Sequence, residues 1–238
     1  MKFGSLISTL GAAAMLAACA SPTSRFYTLG GGDARPVSSA PASFYFELAP
    51  VDMPQQVAKN QLVVQTSPAQ VRVLEEERWA SLPGDEVRRA LSSDLTQQLG
   101  AIDVYGTPHP ESVPVYRVKV NVKRFESWPD SQALIDAVWS VRAAGSDTVL
   151  TCRTVAEERV GTGYDALVDG HRKAVGELAT AISAGVRSLG SLPRVTANAP
   201  VAPAKGKGGA AAKPASAPAT VPLLPCPSAS AAATANAQ

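Results

Sequence analysis

Between Phe44 and Leu189 the apolar residues obey two periods in turn. Phe44, Phe46 and Leu48 alternate with Tyr45 and Glu47, the two-residue period of a half-buried strand. Residues 60–66 and 70–74 form two more short β-rich runs, divided by Ser67-Pro68. The period then lengthens. Val87, Leu91, Leu95 and Leu99 recur every four residues, which makes one stripe of a helix. Asp85 and Glu86 fall in its first turn, where negative charge suits the helix dipole. Gly100 follows its last apolar position, the usual place of a left-handed cap. Residues 102–105 read as a short closing strand.

A second half repeats the order. Tyr116, Val118, Val120 and Val122 alternate with Arg117, Lys119, Asn121 and Lys123, which predicts a sheet wet on one side. Ile135, Ala137, Trp139 and Val141 share a face within residues 131–142, and residues 148–155 return after the Ala144-Gly145-Ser146-Asp147 turn. Over 164–189 the helical period is back, through Val168, His171, Val175, Leu178, Ile182, Val186 and Leu189; Gly190 and Pro193 stop it. Strand runs followed by helices predict an α+β fold. The expected form is an antiparallel sheet with helices packed on one face, built as two similar β-β-β-α halves.

The ends of the chain read differently. Lys2 precedes an uncharged run from Phe3 to Leu16, and Leu16-Ala17-Ala18-Cys19 closes it with small residues. That is the build of an export signal over residues 1–18, followed by a cysteine positioned for lipid attachment. Leu16-Ala17-Ala18-Cys19 resembles the bacterial lipobox, which implies that residues 19–43 form a lipidated tether, and its apolar island Phe26-Tyr27-Leu29 is expected to dock as an edge strand. Residues 44–190 are the body. Residues 191–238 are rich in Ala, Pro and Ser and cannot bury enough apolar surface to offset their ordering entropy. This segment is expected to be a disordered tail that adds little to folding unless Cys226 pairs with Cys152. Its apolar cluster, Val221 to Pro227, reads as a chance cluster or as a docking peptide.

Charge and candidate chemistry narrow the function. All 20 acidic residues precede Gly190, while the tail carries Arg194, Lys205, Lys207 and Lys213. No dense basic field exists for nucleic acid. The two histidines, His109 between prolines and His171 on an apolar helix face, have no ligand-spaced partner, so no metal site is expected. Gly-x-Ser-x-Gly is missing, and the Glu75-Glu76-Glu77 and Glu157-Glu158 runs place neighbouring acids on opposite strand faces. No catalytic set emerges, and no cofactor is implied. Arg117, Lys119 and Lys123 read as a solvated face or as a contact for headgroups or an acidic partner.

An ordered set of short motifs adds a name. The Leu16–Cys19 motif is followed by Arg25-Phe26-Tyr27-Thr28-Leu29, Val51-Asp52-Met53-Pro54, Asn60-Gln61-Leu62-Val63 and Arg78-Trp79-Ala80. Ala137-Val138-Trp139-Ser140-Val141 and Tyr164-Asp165-Ala166-Leu167-Val168 complete the series. Over residues 16–189 the chain resembles the auxiliary lipoproteins of MCE-type ABC transport systems, the PqiC-like family. The resemblance implies an outer-membrane lipoprotein facing the periplasm and acylated at Cys19. It would act as an adaptor for an MCE-domain protein in lipid transport between the membranes, with a contact strengthened if several copies assemble as a homo-oligomer. A periplasmic lipid carrier and a structural envelope lipoprotein are the alternatives. Val57-Ala58-Lys59 departs from the more polar approach of the family, and the tail has no counterpart in its core.

Overall fold

The computed structural model describes residues 23–30, 43–191 and 225–227. Cys19, the segment before it and most of the tail lie outside the described residues. The described elements are β1 (Arg25–Tyr27), β2 (Tyr45–Leu48), β3 (Gln61–Ser67), β4 (Gln70–Trp79), α1 (Pro83–Leu99), β5 (Ile102–Asp103), β6 (Val115–Trp128), β7 (Gln132–Ala143), β8 (Val149–Arg159) and α2 (Tyr164–Gly190). The fold is α+β, and from Phe44 onward the order of strands and helices is the one the periodicity predicts. Pro83 opens α1 with Asp85 and Glu86 in its first turn, and Gly100 caps it in the left-handed conformation with φ 60°.

The pairing of the strands departs from the expectation. Two sheets form, in the orders β5-β2-β6-β7-β8 and β1-β4-β3. The pairs β3–β4, β6–β7 and β7–β8 are antiparallel, but β2 runs parallel to both β5 and β6, and β1 runs parallel to β4. Parallel neighbours need a long crossover; between β2 and β6 it is supplied by β3, β4, α1 and β5. Nor are the halves similar units. A tight turn at Pro68 and Ala69 pairs β3 with β4 locally and takes both out of the larger sheet, while β2 and β5 stay in it.

One face of the five-stranded sheet carries the core. Phe46 and Leu48 of β2, Val118, Val120 and Val122 of β6, Ile135, Ala137, Trp139 and Val141 of β7, and Leu150 and Ala156 of β8 are all buried. Against them lie Leu167, Val175, Leu178, Ile182 and Val186 of α2, with Val87, Leu91 and Leu95 of α1 alongside. Helix α2 comes unusually close to the sheet. A Cβ on Gly185 would stand 2.8 Å from the Trp139 ring, and one on Gly170 would stand 2.3 Å from Val160. These two positions need glycine for space, since both sit in ordinary helical backbone.

Strand β1 straps the N-terminal segment to the body. Tyr27 Oη donates to Glu77 at 2.6 Å and Arg25 pairs with the same carboxylate at 2.9 Å. Burial and then Glu77 push the Tyr27 phenol up to about 12, so it keeps its proton. The buried Glu86 of α1 accepts from Thr28 Oγ1 at 2.7 Å and from the Leu29 amide at 2.9 Å, and pairs with Arg89. Its burial would raise the carboxyl, but these hydrogen bonds and Arg89 outweigh it and hold the group below its ordinary value.

Cys152 and Cys226 are bonded, with Cα atoms 5.6 Å apart. Residues 225–227 are thereby held against β8, where Cys226 Sγ lies 3.5 Å from the Thr151 carbonyl. A closure of this length removes about 4 kcal/mol of entropy from the unfolded chain, part of which is offset because the folded chain must also confine the loop. Cys226→Ser is therefore expected to lower stability by roughly 1–3 kcal/mol, or about 3–10 °C in melting temperature. Thermal denaturation of the oxidised proteins measures it; equal melting temperatures would mean that the bridge constrains nothing that folding needs.

Candidate functional site

The sheet face turned away from the helices is open, and its register builds a patch. Glu47 of β2, Arg117 of β6, Arg142 of β7 and Val149 of β8 stand in one row across four strands. The next row holds Lys119, Ser140 and Thr151. Arginines directly opposite one another repel. Glu47 relieves this by pairing with Arg117 at 2.9 Å. Lys119 and Arg142 have no ion-pair partner among the described residues.

A shallow depression of about 600 Å³ opens between these rows, lined by Glu47, Tyr105, Arg117, Lys119, Arg142 and Val149 among others. A second, of about 300 Å³, continues from it along Lys119, Ser140 and Thr151. Tyr105 and Val149 are each 46% exposed at the rim. The Arg88 guanidinium sits 5.3 Å from the Tyr105 ring centre and is itself fixed by the Leu48 carbonyl and Asp103. Three cations, one anion and two half-exposed apolar side chains make a face suited to an acidic partner with some apolar character.

Of the basic stripe, the structure brings together Arg117 and Lys119 but not Lys123. A bulge between Val122 and Arg124 falls at Lys123, and this exposed residue lines neither depression. Beyond the bulge the acids are already satisfied. Asp136 receives two hydrogen bonds from Arg153, at 2.8 and 2.7 Å, and Glu126 receives two from Arg124. In each case the arginine's hydrogen bonds hold the carboxyl below its usual range, against burial.

The histidines stand apart from this face. His109 is in a loop with Nδ1 3.1 Å from the Thr107 carbonyl. His171 is fully buried on α2, stacked on Phe125 at 4.1 Å, with Nε2 2.8 Å from Ser127 Oγ and Nδ1 unpartnered. Burial pushes it down to about 3, so it packs as a neutral ring. No group of three or more His, Cys, Asp or Glu converges among the described residues.

Comparison with known proteins bears on what such a face serves. The family model described as the ABC-type transport auxiliary lipoprotein component matches residues 27–183. The chain belongs to this family. Among solved structures, an uncharacterized protein superposes with TM-score 0.56 at 22% identity, over 69% of this chain and 99% of its own. A Xanthomonas campestris protein of the DUF330 family superposes with TM-score 0.51 at 16% identity, over 71% of this chain and 94% of its own. At these identities the likeness shows the fold. No curated protein matches the sequence.

As an auxiliary lipoprotein the chain is a component of an ABC transport system held at a membrane, and no described helix is long and apolar enough to cross one. The match begins at Tyr27, the last residue of β1, and runs to Ser183 within α2. Sequence reasoning missed Glu47, Tyr105, Arg142 and Val149 as members of the auxiliary lipoprotein's open face. Arg142 had a readable signal, since it alternates with the buried Val141. Its neighbour across the sheet had none, because alternation says which face a residue takes and not which strand lies beside it.

Proposed function

We propose that this lipoprotein is acylated at Cys19, sits on the periplasmic side of the outer membrane, and acts as adaptor for an MCE-type ABC system moving lipid between the membranes. In this reading residues 1–18 are removed, 19–43 join anchor to body, 44–190 do the binding, and 191–238 are an appendage stapled through Cys226. The observation that carries it is the open face: Arg117, Lys119 and Arg142 around a wide, shallow depression, on a body of a transport-auxiliary family. A shallow polar surface binds another macromolecule more readily than it encloses an acyl chain. The interior between sheet and helices is filled by Trp139, Phe46, Leu48, Leu91 and Ile182, which favours the adaptor over the carrier. Tethering to the membrane raises the effective concentration of partners, so weak pairwise contacts among several copies suffice.

Affinity capture from crosslinked envelopes tests this. Recovery of an MCE-domain protein is expected, and Lys119→Glu with Arg142→Glu is expected to cut it roughly tenfold or more. Both side chains face solvent, so the double variant should keep stability within about 0.5 kcal/mol. Undiminished recovery would remove the open face from the contact. Recovery of cell-wall enzymes alone, with no transport protein, would overturn the adaptor reading itself.

A further inference from the structure

We infer that the β1 edge of the body is the face laid on the bilayer, with Phe26 set among the lipid headgroups. This rests on the reading of Cys19 as the anchor, and it adds an orientation which that reading does not contain. The strap decides it. Residues 25–29 are fastened to the body by the parallel ladder to β4, by Glu77 and Glu86, and by Arg172, which donates to the Thr28 carbonyl at 2.7 Å. Ser24 is held too, through Glu76 at 2.7 Å. The leash from Cys19 is therefore six residues to Arg25 and not the whole stretch to Ser43.

Six residues span at most about 20 Å even when fully extended. A body of about 150 residues is roughly 40 Å across, and the headgroup layer adds about 5–8 Å. A leash that short keeps β1 in the half of the body nearest the membrane and leaves no room for the body to turn its far side down.

What the edge presents there matches a lipid surface. Phe26 is 66% exposed, the most exposed large apolar side chain among the described residues, although its neighbours Tyr27 and Leu29 are buried. Leu82, at the start of α1, is 46% exposed; two residues before it, the Ala80 amide bonds the Tyr27 carbonyl. The arginines around the strap are matched internally: Arg25 with Glu77, Arg78 with Glu75, Arg89 with Glu86 and Arg172 with Asp169. The arginines there carry no unmatched charge to a lipid surface, and what the edge adds is an aromatic ring suited to the headgroup boundary.

The test uses the full-length chain, purified from envelopes as the cell makes it, on vesicles of phosphatidylethanolamine and phosphatidylglycerol whose acyl chains carry bromine. Phe26→Trp adds a fluorophore at the edge. Val155→Trp, at a position 51% exposed on β8, the edge strand of the other sheet, is the control. The emission that each variant adds to that of the parent protein is the quantity read. For Phe26→Trp it is expected to fall to roughly half or below on brominated vesicles, and for Val155→Trp to stay unchanged. Equal quenching of the two, or none for Phe26→Trp in protein that floats with the vesicles, would overturn the orientation while leaving the anchor intact. Protein that fails to float would overturn the anchor and this inference together. Neither result touches the capture of transport proteins.

Discussion

Trp139→Ala is expected to cost about 3–5 kcal/mol, enough to unfold much of a domain whose total stability is of the usual order of 5–15 kcal/mol. The indole is 1% exposed, its Nε1 donates to Thr154 Oγ1 at 2.9 Å, and its ring lies flush against Gly185. The same contact gives a sharper test. In the parent protein Gly185→Ala forces a methyl within 3 Å of the indole and Leu150, which should cost about 1–3 kcal/mol by overpacking. That cost exceeds the fraction of a kcal/mol, up to about 1, that alanine gains over glycine in a helix. In the Trp139→Ala background the indole contacts are gone and Leu150 can give way into the cavity, so Gly185→Ala should become neutral or stabilising. Urea denaturation of the four proteins gives the coupling energy. Strict additivity would mean that α2 does not press on Trp139.

The second large effect is acid sensitivity. His171 is buried and neutral, with its pKa pushed down to about 3 from an ordinary 6.5. Between those values the unfolded chain binds a proton that the folded chain refuses. Stability is therefore full above about pH 6.5 and falls as pH drops, by up to about 1.4 kcal/mol per unit, until the loss saturates near pH 3. Glu86, whose carboxyl is depressed, adds a loss of the same sign only below the ordinary carboxylate range. Glu177 works the other way, raised to about 7 by burial and then by Glu158, but it faces solvent and its share is screened. Comparing parent with His171→Phe cancels both carboxylates. From pH 6 to 5 the parent should lose on the order of 1 kcal/mol more than the variant. Parallel stability curves would show that His171 does not stay neutral.

Much of the fold is legible because burial imposes a period, and the failures of that reading are equally physical. Strand β6 is legible only to Val122 because the bulge after it shifts the alternation by one. Phe125 and Ser127 then take the core face that even-numbered residues held before. Strand β4 is legible only to Leu74 because Glu75, Glu76 and Glu77 look like a solvated run. Glu77 is in fact 8% exposed, neutralised by Arg25 and hydrogen-bonded by Tyr27 from a strand about fifty residues earlier. Partners at that distance leave no local trace. The open face is half legible for the same reason. Glu47 and Arg142 alternate visibly on their own strands as the β6 members do, but only the pairing of strands sets them, with Val149, in one row.

The parallel placement of β2 also bears on the order of folding. A chain that leaves a translocation pore from its N-terminus releases β1 and β2 first, yet β2 lies between β5 and β6, and β1 lies beside β4. Neither can complete its ladder until much later residues have emerged. Contacts so far apart in sequence form slowly and leave sheet edges uncovered in the meantime. Under the proposed acylation, Cys19 would meet its modifying enzymes while the following chain is still unclosed, and the body would assemble afterwards beside the membrane that already holds it.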